Sequence, residues 1–188
     1  GKHTAGLGYF WSGCAGREKR GWEISGIAAV DIADGSAIHL AAVQTVFVEE
    51  NESLSDYYGD IIAGRAEELK PISNHIVADA YFSCKPFVNR ILGVGMHLVT
   101  RLRKNVHLRY LNPEPKTGKR GRPKKYAGKV DPLNPDPTVF HVVDRSTDGK
   151  TVVYEGIVNV KAWGRAAKIV LEITGRESGK PSCLLYTS

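Results

Sequence analysis

The sequence has few cysteines, and they are poorly placed for chemistry. Cys14, Cys84 and Cys183 are odd in number and far apart, and no CxxC or HxxxH spacing occurs. Neither a disulfide framework nor a zinc ligand set is indicated. A reducing, cytoplasmic setting fits this usage. Long apolar runs are also missing. None reaches the ~18 residues that span a bilayer, and no signal peptide opens the chain, so a membrane partner is not expected. There is no initiator Met, and neither end carries a polar tail. The expectation is a piece of a longer protein.

Acidic residues are scarce in one region. From Arg101 to Val130 there are eleven Lys and Arg and a single acid, Glu114. That segment carries a net +10 where the whole chain is +6, which leaves −4 for the rest. A mildly acidic body with one strongly basic segment is the footprint of a polyanion contact, most often nucleic acid. The plainer alternative is a solvated loop kept soluble by its charge.

What is present suits a globular domain. The chain has 188 residues, 42% of them hydrophobic and 24% charged, enough for one domain with a proper core. Gly1–Arg20 reads as irregular, with a hairpin signal at Trp11-Ser12-Gly13. Glu23–Ile32 reads as a buried strand, Asp34-Gly35 as a turn, and Ala37–Val48 as its antiparallel partner. Ser53 and Asp56 resemble a capping box before a helix running to Leu69, which Pro71 closes. His75–Phe82 reads as a short apolar strand carrying Asp79 near its end. A second helix follows, with Ser83 as N-cap, Pro86 in its first turn and Gly93 as its stop. Met96–Leu102 reads as a strand that delivers Arg101 and Arg103. Lys104–Pro137 reads as a long loop, and Thr138–Tyr186 as strand-rich.

An acid at the carboxyl end of a strand, before a helix, is where open α/β sheets place their chemistry. The competing reading of Asp79 is a cap on the turn into that helix. Asp31 is better read as a strand-end or turn-facing acid. Trp11 and Trp22 read as core residues, and His39, His75, His97 and His141 as packed or hydrogen-bonded rather than ligands. Lys119-Arg120-Gly121-Arg122-Pro123-Lys124-Lys125 has an Arg-Gly-Arg-Pro core resembling an AT-hook, which lays Arg into a narrow minor groove. A non-specific phosphate-contacting loop is the favoured version.

Taken together, GYFWSGCAG, EISGIAAVDI, the Ala42-Val43-Gln44-Thr45 strand, VADAYF, RLRKN and GKRGRPKKYAGKV resemble, in that order, bacterial insertion-sequence transposases of the DDE kind. The resemblance implies an α/β fold: a ribonuclease-H-like mixed sheet flanked by helices, followed by a β-rich insertion. It divides the chain into a core part over 1–103, a basic loop over 104–137 and the insertion over 138–188. It implies three carboxylates holding two Mg²⁺ or Mn²⁺ ions about 3.5–4 Å apart. Asp79 matches the second of them, as catalytic residue and metal ligand. The first would precede Gly1-Lys2. The third, a Glu on a helix, is expected beyond Ser188, because Glu155, Glu172 and Glu177 lie in strand or loop patterns.

Arg101, Arg103, Lys104, Lys119, Arg120, Arg122, Lys124 and Lys125 are then expected to contact double-stranded DNA at transposon ends. The intact protein is expected at the bacterial nucleoid, as a homodimer on paired ends. The chain alone is expected to be inactive. The runner-up is a non-catalytic DNA-binding module built on residues 101–130, and a third reading is the relic of a truncated element.

Overall fold

The computed structural model describes residues 5–45, 53–113, 124–175 and 182–187. It is a mixed α/β structure in which strands predominate. The chain divides into two compact units, Gly1–Tyr58 and Gly59–Ser188.

The first unit is built from two hairpins. Strands β1 (Gly8–Ser12) and β2 (Arg17–Gly21) pair antiparallel, as do β3 (Ile24–Asp31) and β4 (Ser36–Gln44). The second turn follows from its residues. Asp31 Oδ1 accepts from the Ala33 and Asp34 amides at 2.9 and 3.3 Å, and Gly35 takes a φ of +64°, a conformation that Gly adopts without Cβ strain.

Burial here differs from the sequence expectation. Ile24, Val30 and Ile38 are more than 60% exposed, and Trp11 and Trp22 are 69% and 54% exposed. A two-stranded ribbon has too little surface to cover its own apolar side chains. Trp22 spends its indole N–H on the Ala5 carbonyl at 3.2 Å. His39 is also exposed.

Helix α1 (Leu54–Gly64) begins as the capping signal predicts. The Ser53 hydroxyl accepts from the Asp56 amide at 3.2 Å and donates to Asp56 Oδ2 at 2.6 Å. Its first turns attach to the second hairpin through tyrosines. The Tyr58 hydroxyl donates to Glu23 Oε2 at 2.6 Å and lies 2.8 Å from that of buried Thr45, and Tyr57 donates to the Gln44 carbonyl at 3.1 Å.

The second unit opens with the end of α1 and a short α2 (Ala66–Leu69), separated at Arg65. Strand β5 (His75–Ala78), a 3₁₀ turn (Ala80–Phe82), helix α3 (Lys85–Gly93) and strand β6 (His97–Thr100) follow. Strands β5 and β6 run parallel, so this is a β-α-β crossover. Phe87, Val88 and Ile91 bury the inner face of α3. The N-cap of α3 is Cys84, not Ser83. The 3₁₀ turn occupies the intervening residues, and Ser83 instead donates to the Ala80 carbonyl at 2.7 Å.

The rest is one sheet. Strands β7 (Leu108–Leu111) and β8 (Tyr126–Lys129) lie within the stretch expected to be all loop. With β9 (Phe140–Arg145), β10 (Thr151–Val160), β11 (Arg165–Thr174) and β12 (Ser182–Thr187) they form six strands in the order β12-β11-β10-β7-β8, with β9 also on β10. Its buried face alternates as a half-buried sheet should: Val158 and Val160 on β10, Ile169, Leu171 and Ile173 on β11, Leu108 on β7. Among the described residues no helix is long and apolar enough to cross a membrane.

Candidate nucleic-acid interface

The β5–β6 pair brings a carboxylate and a run of cations to one edge. The paired residues end at Ala78 opposite Thr100. One step further along each strand lie Asp79 and Arg101, both exposed, followed on the β6 side by exposed Arg103 and Lys104. Two hydrogen bonds knit this edge together. Buried Thr100 donates through Oγ1 to the Asp79 carbonyl at 2.7 Å, and Arg103 Nε reaches the Ala80 carbonyl at 3.5 Å.

Asp79 does serve as a cap. Its backbone is extended, with φ −74° and ψ 179°, and Oδ1 accepts from the Tyr81 amide at 2.8 Å. The turn it caps is the 3₁₀ turn rather than α3. Among the described residues Asp79 makes no salt bridge, and the neighbouring guanidiniums remain available to an outside anion. The cap leads to a stability prediction. Asp79→Ala should cost about 1 kcal/mol, whereas Asp79→Asn, an equally good cap, should change stability by only a few tenths. Urea unfolding of the two variants checks this.

The remaining basic residues divide. Lys124 and Lys125 lead into β8, and their carbonyls accept from the Asn112 side chain at 2.8 Å and the Asn112 amide at 3.3 Å. Lys119, Arg120 and Arg122 lie outside the described residues. The histidines read as packed or hydrogen-bonded are exposed on their strands. His75 and His97 face each other across β5–β6 with ring centroids 5.2 Å apart, and His141 is 3.9 Å from Glu155.

Among the described residues no three His, Cys, Asp or Glu side chains group to hold a metal ion. Asp79 is a single carboxylate with Oδ1 on the Tyr81 amide, so among the described residues it supplies one hard oxygen donor group toward a divalent ion, where a pair of Mg²⁺ or Mn²⁺ ions needs several.

Sequence reasoning missed a second cluster. His107 just before β7, Arg109 on β7, Lys129 on β8 and Lys161 just after β10 come together. Arg109 was counted in the charge run but given no role. The signal is period-two spacing in strands as short as four residues, legible only once their pairing is known. No protein-family model matches this chain, and no curated protein matches it either.

Proposed function

We propose that the chain is part of a DNA transposase of the DDE kind. In this reading it supplies a DNA-contacting surface and one active-site carboxylate, Asp79. The observation that carries the reading is the shared edge of the parallel β5–β6 pair, where Asp79 and the Arg101–Lys104 run leave adjacent strand ends. Such an edge is where open α/β sheets bind ligands. A carboxylate beside guanidiniums that form no salt bridge among the described residues suits a phosphodiester whose chemistry is done at the acid.

What supports a ribonuclease-H-like domain with a β-rich insertion is the order from β3 onward: antiparallel hairpin, two helices, strand, helix, parallel strand, then a β-rich tract. The Mg²⁺ or Mn²⁺ pair of such an enzyme needs further carboxylates besides Asp79. The partner is double-stranded DNA at transposon ends, with Arg101, Arg103 and Lys104 on phosphates near the reacting strand. Lys119, Arg120, Arg122, Lys124 and Lys125 grip the backbone further out. The test is nicking of a labelled transposon-end duplex, wild type against Asp79→Asn.

The cap made by Asp79 favours a second reading, a DNA-binding module with no chemistry. That reading requires DNA binding without any nicking that depends on Asp79.

A further inference from the structure

The cluster on β7, β8 and β10 is organised differently from a surface charge run. Lys129, Arg109 and Asn159 are directly opposite one another across three strands. Opposite residues in a sheet share a face. Two residues before Arg109, just ahead of β7, is His107, whose carbonyl accepts from the Lys161 amide at 3.0 Å. Four basic side chains thus fall within two register steps. Partial burial first, then Lys161, Lys129 and Arg109, hold the His107 imidazole below its usual range.

Arg109 is held on two sides. Its Nε and Nη2 donate to Asn159 Oδ1 at 3.1 and 2.7 Å, and its guanidinium stacks on the Tyr126 ring, 3.7 Å from the centroid. Asn159 is 2% exposed, which makes it a fixed anchor. None of these contacts neutralises the guanidinium. Among the described residues, Arg109, Lys129 and Lys161 form no salt bridge. The nearby acid, Asp131, is engaged by its own turn, accepting from the Leu133 amide and Asn134 Nδ2 at 3.0 Å each. Besides the Asn134 side chain, Lys129 lies close enough to Asp131 to help lower its carboxyl below the usual range, but forms no salt bridge with it. Arg109, oriented before any ligand arrives, avoids part of the ordering cost of binding. The same strand pair, β7 and β8, brackets the basic segment through Lys125.

We infer that this face is a second phosphate-binding surface for double-stranded DNA. Lys129, Lys161 and Arg109 are the contacting cations, and Asn159 and Tyr126 position Arg109. The inference rests on the reading of the chain as DNA-binding, and extends it from the strand edge at Asp79 to the β-rich sheet.

The test is fluorescence anisotropy of the 188-residue chain on a short labelled duplex, between about 50 and 200 mM salt. The Lys129→Gln/Lys161→Gln double variant is compared with wild type and with Arg101→Gln/Arg103→Gln. Both lysines are exposed, so the thermal midpoint should stay at the wild-type value. Loss of two phosphate contacts should flatten the slope of log affinity against log salt by about two and weaken binding about tenfold or more at low salt. An unchanged slope in the lysine variant, with a reduced one in the arginine variant, overturns the second surface and leaves the Asp79-edge reading standing. A wild-type chain that fails to bind duplex overturns both.

Discussion

On the proposed transposase reading, Asp79→Asn should reduce nicking of transposon-end DNA at least about 10²-fold, the scale on which removing one preorganised electrostatic group acts. The substitution isolates charge from structure. Asn accepts from the Tyr81 amide as Asp does, so the 3₁₀ turn and the start of α3 stay in place. The Thr100 bond is to the backbone carbonyl of residue 79 and is unaffected. What is lost is one negative charge at the edge where Arg101, Arg103 and Lys104 emerge.

Binding and chemistry should move apart. Removing a carboxylate beside a phosphate site lowers repulsion, so duplex affinity should hold or rise slightly while nicked product disappears. A time course with Mg²⁺ or Mn²⁺, run beside an anisotropy titration, measures both. Equal nicking by the two proteins would remove Asp79 from the chemistry and favour the DNA-binding module.

The parts of the fold legible in the sequence are those set by local chemistry. The β3–β4 turn is read from Asp34-Gly35, helix α1 from Ser53 and Asp56, and α3 from Pro86 and its apolar spacing. Strand β10 falls within the Thr138–Tyr186 stretch read as strand-rich. The parts missed depend on partners distant in sequence. Strands β7 and β8 are four residues each, separated by the basic segment, and their ladder is shifted between Tyr110 and Leu111. Nothing local distinguishes them from loop. Burial failed for the same reason. Trp11 and Trp22 have core composition, but their exposure is decided by what else packs on a two-stranded ribbon. The candidate site was half legible. Asp79 stood out by its place at a strand end, whereas the Arg109–Asn159–Tyr126 arrangement requires knowing which strands pair.

The second large effect concerns the sheet that carries this arrangement. Gly156→Ala should destabilise the protein by about 1–3 kcal/mol, the usual cost of overpacking a filled core. Gly156 lies in the middle of β10, opposite Phe140 of β9 on one side and Ile169 of β11 on the other. Both neighbours are buried, at 2% and 0% exposure. Its φ is not positive, so backbone freedom is not what glycine supplies here. It supplies space. A Cβ would lie 2.6 Å from Phe140 Cδ1 and 2.8 Å from the Val139 carbonyl oxygen. The ring has nowhere to turn in a close-packed layer, and the carbonyl belongs to the backbone leading into β9.

The two clashes are separable. Phe140→Leu removes the ring atoms but leaves the carbonyl, so the double variant should recover part of the loss and not all of it. A double-mutant cycle by urea unfolding gives the coupling. Strict additivity would show that Phe140 is not what Gly156 makes room for. Because β10 also carries Asn159, Gly156→Ala should weaken the proposed duplex contact only to the extent that the sheet unfolds, and stabilising conditions should restore it.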